Sequence, residues 1–270
     1  MNKPPPGARF PASLNHRAEP GTRTAATVLR PQRPLHEAAR DAVRQAPPSG
    51  IGLDSAAVRK RMVARLRADG IRCEPVLSAF ASVPRHRFVD SALATQAYED
   101  TSLPIGWQQT ISKPSVVARM LSLLFEGDSA RASGSLGRTL EIGTGCGYQT
   151  ALLALLSSRV LSIERLKPLH DKARAHLGDG RVGDVRLLYG DGRLGHAPRA
   201  PYDSIVAAAG GDELPAAWLE QLAVGGRLVA PMHDAAAGGQ VLLVVDRRID
   251  GLHRRVQDAV HFVPLKSGIE

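Results

Sequence analysis

The sequence predicts an α/β protein: a mainly parallel sheet of seven strands that ends in an antiparallel hairpin, preceded by a lobe of helices. Three observations predict it. Beyond residue 138, short apolar runs alternate with helical segments, the pattern of a parallel sheet covered on both faces. The last two runs, 240–246 and 256–263, are separated by little more than an Asp250-Gly251 turn, which pairs them as a hairpin. Ahead of residue 138 the apolar spacing is helical rather than alternating.

The elements follow in chain order. Residues 1–50 hold nine prolines, few large apolar residues and no periodicity, so they are expected to form a disordered tail. Of the formal charge of +9, this tail carries +5, eight Lys or Arg against three acids, and the remaining +4 is spread along the domain. Met1-Asn2-Lys3 is followed by prolines and not by an apolar segment, which argues against a secretory signal. Asp54 or Ser55 is placed to cap a helix whose apolar positions Val58, Met62, Val63 and Leu66 recur up to Gly70. A second helix begins at Glu74-Pro75, with proline in its first turn, and stops before Pro84. Residues 97–114 are polar and rich in turn formers, as a functional loop would be, and lead into a helix at 115–124. The strands of the sheet are expected at 139–142, 160–163, 185–189, 204–208 and 227–231, with helices at 148–157, 166–177 and 215–222, and the two hairpin strands close the count at seven.

No apolar run approaches the roughly 20 residues of a membrane span. Two cysteines, Cys73 and Cys146, without CxxC spacing, exclude a disulfide framework and a structural zinc site, and fit a reducing cytoplasm. The histidines are scattered without ligand spacing, so no metal is expected. Basic residues lack the interleaved aromatics of a single-strand-binding surface, so nucleic acid is not the expected partner.

Chemistry concentrates at the carboxyl ends of the expected strands. Glu141-Ile142-Gly143-Thr144-Gly145-Cys146-Gly147 joins the first strand to its helix, and its missing Cβ atoms let a ligand approach the backbone. The spacing is GxGxG, tighter than a pyrophosphate loop, and Glu141 ahead of it suits an amino-bearing ligand better than a diphosphate. Glu164, about 20 residues on at the end of the second strand, is placed to accept ribose hydroxyls, against the plain alternative of a solvated acid paired with Arg165. Gly190-Asp191-Gly192 follows the third strand and offers an acid to an adenine, so that all three acids are expected to line one crevice. The candidate cofactor residues of this half are Glu141, Gly143, Thr144, Gly145, Cys146, Gly147, Glu164, Asp191 and Gly192.

These residues and several others resemble the protein-L-isoaspartate (D-aspartate) O-methyltransferase family over most of the chain from 53 to 265. The stretches that carry the resemblance include Val83-Pro84-Arg85-His86-Arg87-Phe88-Val89, Ala97-Tyr98-Glu99-Asp100, Leu103-Pro104-Ile105-Gly106, Thr110-Ile111-Ser112-Lys113-Pro114, Gly225-Gly226-Arg227-Leu228-Val229 and Phe262-Val263-Pro264-Leu265. The Thr-Ile-Ser-x-Pro stretch is the most specific of them. The resemblance implies a Rossmann-like, S-adenosylmethionine-dependent methyltransferase fold over 51–270 and methylation of the α-carboxylate of L-isoaspartyl residues in damaged proteins and peptides. The ester then closes to a succinimide that reopens as aspartate. It further implies Ser112 at the catalytic position, Thr110 and Ile111 closing over the cofactor, and Val263-Pro264 beside the substrate backbone. A monomer is expected.

Four positions depart from the family's usual pattern: Gln108 stands where a second glycine is common, Cys146 for serine, Lys113 for glutamine, and Ala209-Gly210-Gly211 for a Thr-Ala-Ala type stretch. Other readings stay open on the residues alone. A nicotinamide-dependent oxidoreductase shares the glycine turn and the second-strand acid, though GxGxG and Asp191 disfavour it. A methyltransferase acting on nucleic acid or a small molecule fits the basic charge, but the sequence lacks an Asp/Asn-Pro-Pro-aromatic stretch and a Pro-Cys nucleophile. A binding module acting through its basic tail is the third.

Overall fold

A computed structural model describes residues 56–178 and 183–270. The expected tail at 1–50 and the cap at Asp54 or Ser55 lie outside the described residues. Helices α1 (Ala56–Ala68) and α2 (Glu74–Ser82) form the start of the N-terminal lobe, and α2 opens with Pro75 in its first turn. Two 3-10 turns follow, Arg85–Phe88 and Ser91–Gln96. Residues 97–114, expected as an irregular loop, contain an antiparallel ribbon of β1 (Leu103–Gly106) and β2 (Gln109–Ile111). These strands of four and three residues are too short to show an alternating period.

Helix α3 (Pro114–Phe125) buries eight of its residues, and a short α4 (Asp128–Ser133), not expected from the pattern, precedes the sheet. The sheet and its crossovers are β3 (Arg138–Ile142), α5 (Tyr148–Leu156), β4 (Arg159–Glu164), α6 (Lys167–Leu177), β5 (Val185–Tyr189), β6 (Tyr202–Ala207), α7 (Ala216–Gln221), β7 (Leu222–Asp234), β8 (Gly239–Arg248) and β9 (Gly251–Val260). The seven strands run in the order β5-β4-β3-β6-β7-β8-β9, parallel from β5 to β7 and antiparallel from β7 to β9. Seven strands and a terminal hairpin were expected, and both are present.

Strands β3, β4 and β6 are buried almost throughout because apolar clusters cover both faces of the sheet. One cluster joins the sheet to α1, α2, α3 and α5; the other surrounds Trp218 of α7. The chain leaves β3 toward β4 and β5, then returns to β6 and continues to β7. This reversal between β3 and β6 opens a crevice at their carboxyl ends, where ligands bind in open α/β sheets. Beyond β9, residues 261–264 leave the sheet, contrary to the expected strand end at 263. They pair instead with the loop after β6, through Gly210 N–H to the Val263 carbonyl (2.8 Å) and Leu265 N–H to the Gly210 carbonyl (2.6 Å). That detour carries Val263 and Pro264 across the crevice.

Candidate active site

A pocket open to solvent occupies this crevice, lined by the segments that follow β2, β3 and β4 and by residues 263–266. Its floor is the loop after β3. Gly143, Gly145 and Gly147 take φ of 88°, 57° and 90°, which side-chain-bearing residues rarely adopt. Gly143 and Gly145 line the pocket, whereas Gly147 packs behind the loop against Leu177 and Ala173. Thr144 and Cys146 also face the cavity, with the Thr144 hydroxyl 2.6 Å from that of Ser162.

Of the three acids expected in one crevice, Glu164 alone lines it. Its carboxylate is 5% exposed and accepts from Gly145 N–H (2.8 Å) and Leu166 N–H (2.9 Å), which fixes the side chain and leaves lone pairs for a hydroxyl-bearing ligand. It makes no pair with Arg165, which turns to Glu270 and the Gly268 carbonyl.

Glu141 is a correction. It stands one residue before the strand end, opposite Ser162 in the pairing of β3 with β4, and so points to the face covered by α5. There it is fully buried and accepts from Gln149 (3.0 Å), Thr150 (2.5 Å) and Ser162 (2.6 Å). Burial pushes its carboxyl up to about 7 against the pull of these donors. It supports the loop from below and is not among the residues that line the pocket. Asp191 also lies off the wall: one carboxylate oxygen caps the turn at Arg193 N–H and the other accepts from Gly268 N–H at 2.7 Å. Gly192 does line the pocket, held by Trp218, whose indole N–H donates to the Gly192 carbonyl at 2.8 Å. A Cβ at Gly192 would come within 2.6 Å of Ile142.

The opposite wall comes from the N-terminal lobe. Thr110 and Ile111 of β2 and Ser112 directly after it line the pocket. Capping of α3 by Ser112 does not occur; Asp100 does it, accepting from the Ser115 N–H (2.8 Å) and hydroxyl (2.7 Å). The Ser112 hydroxyl has no partner among the described residues, while its carbonyl accepts from Arg85 (2.9 Å). Lys172 of α6 donates to the Ile105 carbonyl at 2.9 Å and ties the ribbon over the pocket. Val263 and Pro264 line the mouth together with Leu265 and Lys266.

Arg85, Asp100 and Lys172 were not singled out individually from the sequence. Their partners are backbone groups far along the chain, and no local spacing signals such a contact. Gln149 and Thr150 were legible in principle, as polar residues in the first turn of an otherwise apolar helix. Among the described residues no His, Cys, Asp and Glu cluster has the makings of a metal site, and no helix is long and apolar enough to cross a membrane.

The pocket residues fit an adenosyl ligand with an amino-acid tail. Glycines open the backbone, Glu164 faces the cavity at the strand end, and Ile163, Leu166 and Leu169 provide an apolar surface for a base. Comparison with known proteins agrees. The family model described as protein-L-isoaspartate(D-aspartate) O-methyltransferase (PCMT) matches residues 57–270. A protein-L-isoaspartate O-methyltransferase of Methylibium petroleiphilum is 59% identical over 266 residues, covering 98% of each chain. One of Leptothrix cholodnii is 58% identical, covering 99% of this chain and 96% of its own. A solved protein-L-isoaspartate O-methyltransferase superposes with a TM-score of 0.68 at 24% identity, over 78% of this chain and 67% of that one. A Plasmodium falciparum structure, described as a putative member in complex with S-adenosyl-L-homocysteine, superposes with a TM-score of 0.63 at 23% identity, over 77% of this chain and 98% of that one. At these identities the two structures speak for the fold.

Proposed function

The chain belongs to the protein-L-isoaspartate(D-aspartate) O-methyltransferase family, and on that premise we propose that it methylates the α-carboxylate of L-isoaspartyl residues in damaged proteins and peptides. S-adenosylmethionine, when bound, supplies a methyl group made electrophilic by its sulfonium. The residues that would hold it are Gly143, Thr144, Gly145, Cys146, Glu164 and Gly192, with Thr110 and Ile111 above them and Asp191 behind the turn.

An acceptor carboxylate is already ionised at neutral pH, so the protein need not supply a base. Its task is to align two reactants and keep water out. Ser112 serves as the hydrogen-bond donor that orients the carboxylate, and Val263-Pro264 flank the substrate backbone. The observation that carries this reading is the unpaired Ser112 hydroxyl in the pocket wall, freed of helix-capping duty by Asp100 and facing the glycine loop across one cavity.

The catalytic unit is residues 51–270, supported by the extent of the family match. We infer a cytoplasmic protein acting as a monomer; the two free cysteines support the reducing compartment. Transfer of labelled methyl to an isoaspartyl peptide, with the matching aspartyl peptide as control, tests the reading. Label on the isoaspartyl peptide alone is expected; equal labelling of both peptides, or of neither, overturns it.

A further inference from the structure

Arg85 is the least explained side chain near the site. It is fully buried, yet its Nε and Nη1 atoms have no hydrogen-bond partner, and among the described residues no carboxylate lies at ion-pair distance. Burial lowers the affinity of its guanidinium for the proton, opposed first by the neighbouring Tyr148 and then by Cys146 and Asp100. A buried charge held this way is costly, and an apolar side chain would fill the space more cheaply. Its contacts show what the charge is placed against. Nη2 donates to the carbonyl of Ser112 at 2.9 Å and reaches that of Thr101 at 3.4 Å. The guanidinium carbon lies 4.9 Å from the centroid of the Tyr148 ring, and Tyr148 is a pocket residue at the start of α5. Tyr148 is itself wedged by Phe80 and Phe88, so the ring offers Arg85 a fixed platform. Arg85 therefore bridges the lobe that bears Ser112 and the helix that follows the glycine loop.

We propose that Arg85 is a positioning residue for the methyl acceptor: held between the Tyr148 ring and the Ser112 carbonyl, it sets the Ser112 hydroxyl and places a positive charge behind the acceptor carboxylate. This rests on the reading of Ser112 as the acceptor-site residue. Methyl transfer neutralises the carboxylate, so a positive charge behind it favours binding of the anion more than the transfer step. Its loss therefore acts on KM for the peptide rather than on kcat. Lysine keeps the charge but lacks the planar fork that spans ring and carbonyl.

The test is steady-state kinetics of R85K, R85M, S112A and R85K/S112A with an isoaspartyl peptide, together with calorimetric binding of S-adenosylhomocysteine and melting curves. R85K is expected to raise the peptide KM about tenfold and R85M further, as the loss of a charged hydrogen bond to the segment would. In both, kcat and S-adenosylhomocysteine affinity stay within about threefold of wild type. R85K and S112A are expected to combine to less than the product of their separate effects, because one acts through the other. R85K decides the matter if R85M fails to fold. An unchanged KM, a parallel loss of S-adenosylhomocysteine affinity, or multiplicative effects with Ser112 would each overturn the proposal while leaving the function intact. A wild-type protein that labels neither peptide would overturn the function and the proposal with it.

Discussion

The pocket is bounded by two turns that meet the same backbone demand in opposite ways. In the loop after β3, every position with positive φ is a glycine. In the turn between β1 and β2, Trp107 and Gln108 take φ of 49° and 57°, and neither is glycine. Two-residue hairpin turns with positive φ at both central positions are built most easily from Asn and Gly. Here each residue bears a strain of order 1–2 kcal/mol. The first turn is fixed by its own sequence. The second is fixed from outside, by Lys172 on the Ile105 carbonyl, Asp100 on the start of α3 and Arg85 on the Ser112 carbonyl. The glycine-loop wall is thus locally determined, and the Ser112 wall is determined by its tertiary partners.

That contrast yields substitutions with separable effects. The largest is expected from Gly143→Val, which forces a β-branched residue to φ 88° in the pocket floor. S-adenosylhomocysteine affinity should fall on the order of 100-fold by calorimetry, the upper range for backbone strain at a functional site. Ser112→Ala touches only the other half: kcat/KM for an isoaspartyl peptide is expected to fall roughly 10–100-fold, with S-adenosylhomocysteine binding unchanged.

Next in size is a pH effect on the support beneath the loop. Glu141 has a folded pKa of about 7, above its ordinary 4.5, so between these values the folded chain holds a proton that the unfolded chain has released. The stability that this proton contributes is present below about pH 4.5 and is lost as pH rises through about 7. At about 1.4 kcal/mol per unit it amounts to roughly 3 kcal/mol. The wild-type Tm should therefore decline by several degrees between pH 5 and 8 relative to Glu141→Gln, which has no such proton to lose. Parallel pH profiles for the two proteins would remove Glu141 from this role. The smallest effect is that of Gln108→Gly, which relieves one strained φ but frees the unfolded chain. A net gain of about 0.5 kcal/mol is expected, raising Tm by roughly 1–2 °C with kcat nearly unchanged.

The same contrast explains what could be read without coordinates. The strand-helix alternation from β3 to β7 was legible because a doubly covered parallel sheet requires continuous apolar runs, and the glycine loop because its φ values require glycine. Glu164 was legible from its distance beyond that loop. Glu141 was misplaced because residue spacing carries no information on which side of a strand the next helix packs. Asp191 was half read: its turn borders the pocket, but its carboxylate is taken up by Gly268, a contact 77 residues away. The β1-β2 ribbon escaped notice because Trp107-Gln108 does not look like a turn. The Ser112 wall is legible only through the resemblance of Thr110 to Pro114 to a known family, since nothing in its local pattern points to Arg85 or Lys172.

The most direct measurement is a crystal structure of the ternary complex with S-adenosylhomocysteine and an isoaspartyl peptide. The ribose is expected at Glu164 and the peptide's α-carboxylate within hydrogen-bond distance of Ser112 Oγ, on the Val263-Pro264 side of the pocket. A carboxylate held elsewhere, with the Ser112 hydroxyl still unpaired, would contradict that placement.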